Sequence, residues 1–285
     1  MNYRHIYHAG NFADVFKHLI IARIIEYLKK KDHAFRVIDT HAGTGIYDLS
    51  ADEAQKTGEW IDGIGRILSK PIDRQIEPLV NPWLDVVFAL NGSKEKLTRY
   101  PGSPVLIRKL LRKQDRLTAI ELHEADYKKL AVNFTGDYQA RIIHLDGYLV
   151  LGAHVPPKEK RGLILVDPPF EKTDEFERLV EGLIKAYKRF PGGIYALWYP
   201  VKHYNELNWF MNELKGTGIT KILRLELRIK QRSQTPGLDG CGMIIVNPPY
   251  VLPKEMKQLK AFLLDRLAQD DHAQIIEEWI NGEAV

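Results

Sequence analysis

Residues 35–45 read Phe35-Arg36-Val37-Ile38-Asp39-Thr40-His41-Ala42-Gly43-Thr44-Gly45, a short apolar run that ends on a carboxylate and turns through two glycines. A strand that stops at an acidic residue and passes into such a turn lets a ligand approach the backbone at the carboxyl edge of a sheet. The spacing Asp-x-x-x-Gly-x-Gly lacks the third glycine that a dinucleotide site usually places three residues after the second. It is the form of the turn that suits a nucleoside joined to methionine, and it makes Gly43 a candidate cofactor contact.

Upstream, Asn11 with Asp14 three positions on predicts a helix start. Phe12, Val15, Phe16, Leu19, Ile20, Ile24, Tyr27 and Leu28 keep helical spacing, and Lys29, Lys30 and Lys31 close it where positive charge suits the helix dipole. Downstream, strands are predicted at 117–122, 140–145, 162–166, 193–198, 221–229 and 243–246, which with 35–38 makes seven. Their alternation with helical segments predicts an α/β fold, a doubly wound and mostly parallel sheet with one antiparallel strand at its edge. Residues 53–100 break the alternation and predict an inserted helical subdomain within a single 1–285 domain. One helix there runs through Trp60, Ile61, Ile64, Ile67 and Leu68. A second opens at Asn81-Pro82 and runs to Asn91-Gly92.

The predicted strands end repeatedly on acids. Glu121 closes the second and is placed to hold ribose hydroxyls; Asp146, followed by Gly147, closes the third and can accept from an adenine amino group. The fourth runs through Leu163-Ile164-Leu165-Val166 into Asp167-Pro168-Pro169-Phe170. An exocyclic purine amine is a poor nucleophile because its lone pair is conjugated into the ring. It needs acceptors where its two N–H bonds point as the nitrogen turns tetrahedral. Asp167 offers a carboxylate oxygen, the Pro168 carbonyl a second acceptor, and Phe170 a face for stacking. Asn247-Pro248-Pro249-Tyr250 repeats the pattern. If the last strand is antiparallel, this second string lies at the opposite edge and is structural.

At 285 residues and 45% hydrophobic content the chain can bury a large core, which excludes a disordered protein. A net charge of +4 favours a polyanionic partner only weakly. The basic runs at Lys29–Lys31 and at Arg108, Lys109, Arg112 and Lys113 are candidate phosphate contacts. The single Cys241 excludes an internal disulfide, and no apolar run reaches the roughly 18 residues of a membrane span. The first residues lack a secretory core, so a cytoplasmic protein is expected. The ten histidines show no metal-ligand spacing with cysteine, and no metal is expected.

Tyr3-Arg4-His5, His8-Ala9-Gly10-Asn11, Asp14, Lys17-His18, the turn from Asp39, Pro101-Gly102-Ser103-Pro104, Glu121-Leu122-His123 and 162–169 together resemble the RlmJ family of 23S ribosomal RNA adenine-N(6) methyltransferases. The similarity runs essentially end to end. It implies a class I, Rossmann-like methyltransferase fold, S-adenosylmethionine as donor, and one adenine of 23S rRNA (position 2030 in that family) as acceptor, with a monomer expected. It also implies cofactor contacts at His18, His41, Ser103, Glu121, Asp146 and Gly147, amine orientation by Asp167, and a substrate-side role for Tyr3. Phe170 stands where the family usually has tyrosine, which resembles the Asp-Pro-Pro-Phe of ribosomal guanine-N(2) methyltransferases, the alternative reading. A DNA adenine methyltransferase usually carries a larger target-reading domain. A non-catalytic scaffold would not need the intact acidic set.

Overall fold

The structure is a computed structural model that describes residues 4–92, 96–233 and 237–282; Tyr3 lies outside them. One sheet organises the chain. Its strands are β1 (Arg36–Asp39), β2 (Arg116–Glu121), β3 (Ala140–His144), β4 (Gly162–Val166), β5 (Ile194–Val201), β6 (Ile222–Arg228), β7 (Gly240–Val246) and β8 (Gln274–Asn281). They lie in the order β8-β6-β7-β5-β4-β1-β2-β3. The five from β5 to β3 are parallel, which brings the carboxyl ends of β1, β2, β3 and β4 to one edge. Their connections are the helical crossovers that parallel pairing demands.

The sheet departs from the expected one in two ways. It has eight strands rather than seven, because 274–281 pairs antiparallel with β6 as an edge strand. Its sequence, Gln-Ile-Ile-Glu-Glu-Trp-Ile-Asn, carries adjacent glutamates that interrupt any apolar alternation. The second departure concerns β7, which is antiparallel as expected but sits inside the sheet between β5 and β6. Every residue of β7 is buried, so both of its faces are covered.

The helices are α1 (Phe12–Lys29), α2 (Asp52–Thr57), α3 (Arg66–Leu68), α4 (Glu77–Asn91), α5 (Ser103–Leu110), α6 (Glu124–Asn133), α7 (Gly147–Ala153), α8 (Glu175–Arg189), α9 (Tyr204–Gly216) and α10 (Leu252–Leu267). They build two apolar clusters, one on each face of the sheet. The first joins α1, α4, α5 and α10; the second joins α7, α8 and α9. Among the described residues no helix is long and apolar enough to cross a membrane. The α1 start is as read: the Asn11 side chain accepts from the Ala13 and Asp14 N–H groups.

Residues 46–48 pair with 99–101 in a two-stranded ladder, so the intervening helices leave and return at one point. Neither of the expected helices there is regular. The first is interrupted at Gly63, whose backbone is non-helical and lies so close to α1 that a Cβ would fall 2.1 Å from the Gly10 carbonyl. The second starts at Glu77, four residues before Asn81, and carries Pro82 in its interior. A helix proline has no N–H for the carbonyl four residues back. Arg23 of α1 compensates, donating to the Pro78 and Leu79 carbonyls at 3.3 Å while pairing with Glu255 of α10.

The second Pro-Pro string lies where an antiparallel β7 puts it. Asn247 follows β7, adopts φ 53°, and donates both amide hydrogens to the Pro191 and Gly193 carbonyls that precede β5. It joins two loops at the edge away from the carboxyl ends of β1 to β4.

Candidate active site

The carboxyl ends of β1 to β4 open into a cleft of about 780 Å³. His41, Gly43, Ser103, Glu121, Asp146, Gly147, Asp167, Pro168 and Phe170 all line it, so residues from across the sequence converge as the acidic strand ends predict. Gly43 and Gly45 take φ of 60° and 85°, which glycine adopts without cost. The turn is pinned from below by Glu121, whose Oε2 accepts the Gly43 N–H at 2.8 Å while Oε1 accepts that of His123 at 2.7 Å. Burial raises the Glu121 pKa against those two donors.

Asp146 performs two structural tasks. Oδ1 caps α7 by accepting the Tyr148 N–H, and Oδ2 pairs with Arg178 of α8 at 2.9 Å. Arg178 also lies 4.0 Å over the Tyr148 ring, and the Tyr148 hydroxyl donates to Glu175. Gly147 is a matter of space: a Cβ there would fall 2.1 Å from the Thr40 carbonyl. His41 packs edge-on against Tyr148 and is kept neutral by burial, its pKa lowered to about 4.

Ser103 is the first residue of α5, and its hydroxyl makes no cap bond. It donates instead to Asp39 Oδ2 at 2.7 Å. Asp39 is fully buried, its other oxygen has no partner among the described residues, and burial pushes its pKa up to about 7. His18 does not line the cleft. It is buried behind the wall, stacked on Tyr100 and bonded to its hydroxyl at 3.0 Å, with Nε2 unpartnered among the described residues. Burial lowers its pKa to about 3.

Around Asp167 the structure adds residues that the sequence reading did not single out for chemistry. Lys17 reaches from α1 to Asp167 Oδ2 at 2.5 Å and to Asp14 at 2.8 Å. Asp14 also bonds His5 and the Gly10 N–H, both at 2.9 Å. Burial alone would lower the Lys17 pKa, but Asp14 and Asp167 outweigh it and hold the ammonium charged. Burial would likewise raise Asp14, yet His5 and Lys17 keep it well below the usual range. The spacing of Asp14 and Lys17 on one helical face was visible in the sequence; their reach to Asp167, 150 residues away, was not.

The bond to Lys17 occupies Asp167 Oδ2; among the described residues neither Asp167 Oδ1 nor the Pro168 carbonyl has a hydrogen-bond partner. Phe170 takes φ 51°, an uncommon conformation for a bulky residue, and leans on the edges of Phe176 and Trp198. Such strain persists only where the surroundings enforce it, and it concentrates at functional sites.

Comparisons with known proteins place the chain in a family. The family model described as Ribosomal RNA large subunit methyltransferase D, RlmJ, matches residues 32–281. The chain is 42% identical to Ribosomal RNA large subunit methyltransferase J of Escherichia coli K12 over 99% of its own length and all of the relative's. It is 38% identical to the Haemophilus influenzae protein of the same name, again over 99% and 100%. A Legionella pneumophila protein of known crystal structure superposes with a TM-score of 0.86 at 33% identity, covering 95% of this chain and 98% of that one. On the family match, the end-to-end similarity and the shared fold, the chain belongs to the RlmJ family of ribosomal RNA large subunit methyltransferases.

Proposed function

We propose that this protein transfers a methyl group from S-adenosylmethionine to the exocyclic N(6) amine of an adenine in 23S ribosomal RNA, acting in the cytoplasm as a monomer. On this reading residues 1–285 form one methyltransferase domain, with 53–100 as its inserted helical subdomain. One observation carries the proposal: two acceptors without a partner among the described residues, Asp167 Oδ1 and the Pro168 carbonyl, stand beside an aromatic wall at the carboxyl end of β4. The family's names and the geometry point to the same chemistry.

The residues present suit the donor. Each Glu121 oxygen keeps a lone pair beyond its backbone N–H and can accept from a ribose diol. Asp146 keeps acceptor capacity for an adenine amine. Asp39 Oδ1 and His18 Nε2 are orphaned among the described residues but lie behind the cleft wall, so neither is presented to a methionine moiety in the cleft. When bound, the donor supplies an electrophilic methyl on sulfur.

The chain's part is to hold the acceptor. Phe170 takes the base on its face, and Asp167 and the Pro168 carbonyl accept hydrogen bonds from the two N–H groups as the nitrogen pyramidalises; the proton that the methylated nitrogen then sheds leaves along the Asp167 hydrogen bond to water. Lys17 fixes the carboxylate by one oxygen so that the other keeps a constant direction. Orientation of this kind is worth several kcal/mol without a strong base. The test is mass mapping of 23S rRNA from cells lacking the protein. Loss of N(6)-methyladenosine at one position, restored by the purified protein with S-adenosylmethionine, is expected. Loss of an N(2)-methylguanosine instead would move the function to the guanine reading.

A further inference from the structure

Of the expected phosphate contacts, Lys29 to Lys31 lie at the end of α1 away from this cleft. Asn11, Asp14 and Lys17 at the start of α1 line it. Twelve helical residues at about 1.5 Å each put Lys29 about 18 Å beyond Lys17. Several of those cations are also engaged at home: Lys29 pairs with Glu26, Arg108 with Asp137, and Arg112 with Asp115 and with the Lys29 and Lys31 carbonyls. Carboxylates meanwhile outnumber cations among the residues lining the cleft. A neutral base can enter such a site, but its two flanking phosphates are repelled and must be held at the mouth.

Of the cations lining the cleft, Lys17 and Arg178 are committed to carboxylates. Among the described residues the other two, Lys172 and Lys202, have no carboxylate partner. They rise from the loops after β4 and β5. Beside them Arg232, exposed and likewise without a carboxylate, lies 4.2 Å over the Tyr204 ring at the start of α9. Arg228 lies over the same ring at 5.5 Å, and Asp239 accepts from the Tyr204 hydroxyl beneath. The three loops after β4, β5 and β6 thus present cations on one side of the mouth, with Tyr204 as the plate that positions Arg232.

We propose that Lys172, Lys202 and Arg232 bind the RNA backbone phosphates that flank the target nucleotide, so that the base alone crosses into the acidic cleft. This rests on the RNA substrate reading above and names the surface that serves it. Phosphate contacts fix register without reading sequence, and each one makes affinity salt-dependent.

The experiment compares charge reversals at the two ends of the molecule, using unmodified 23S rRNA transcript in filter binding at several KCl concentrations. Lys172→Glu, Lys202→Glu and Arg232→Glu should each weaken binding about tenfold and flatten the slope of log affinity against log salt by about 0.7 to 0.9 per lost contact. S-adenosylmethionine affinity should stay within twofold. Lys30→Glu with Lys31→Glu, at the far end, should change neither. Indifference of RNA affinity to the three mouth reversals, or equal weakening from the far end, overturns the placement. Failure of the wild-type protein to methylate the transcript at all would remove the RNA reading, and this surface with it.

Discussion

Asp146 and Asp39 show how a side chain can be legible in sequence while its environment is not. A carboxylate after a strand marks Asp146 as a cofactor contact, but only the structure shows Arg178 holding its Oδ2. If that bond aims Asp146 at an adenine amine, Arg178→Met should weaken binding of S-adenosylhomocysteine about tenfold, roughly 1.4 kcal/mol. The inosyl analogue, which has no 6-amino group to donate, should lose less. Calorimetry giving equal losses for both ligands would reduce Arg178 to packing. Asp39 is a pH device. Its folded pKa near 7 exceeds the usual carboxylate value near 4, so it weakens the fold progressively as pH rises through that interval. His18 and His41, with pKa lowered by burial to about 3 and 4, act oppositely, adding stability as pH rises toward about 6.5. Asp39→Asn keeps the Ser103 acceptor and removes only the first effect. Its melting temperature relative to wild type should climb from pH 5 to 7 and then level. A constant difference across that range would contradict the assignment.

At the scale of elements, the strand-to-turn junctions were readable because each is local: an apolar run, an acid, then glycine or proline. What was not readable depends on contacts far apart in sequence. The start of α4 was misplaced because Pro82 reads as a first-turn residue, and the compensation comes from Arg23 on another helix. Arg23→Ala should therefore cost about 3 kcal/mol in urea unfolding. It strands the half-buried Glu255 and leaves two carbonyls unmet. A loss below 1 kcal/mol would mean that α4 tolerates its proline without α1. The edge strand β8 escaped notice for another reason. Its exposed residues are Gln274 and Glu278, and the adjacent Glu277-Glu278 pair blurs the alternation by which strands are recognised.

The whole molecule is an acidic cleft at one edge of a sheet, and that edge is chosen by strand direction. Asp167 and Asn247 stand in nearly the same local sequence, yet β4 runs toward the cleft and β7 away from it. Topology, rather than the tetrapeptide, separates a candidate amine clamp from a loop anchor. The Lys17 bridge to Asp167 reinforces the difference, and nothing in the spacing of residues 17 and 167 announces it. The direct test is single-turnover methylation of 23S rRNA by Asp167→Ala and Asn247→Ala, normalised to folded protein by circular dichroism. Asp167→Ala should lose methyl transfer by at least a thousandfold while still binding S-adenosylmethionine, and Asn247→Ala should stay within a few-fold of wild type per folded molecule. Retained transfer in Asp167→Ala with loss in Asn247→Ala would put the active site at the other edge of the sheet and contradict the account.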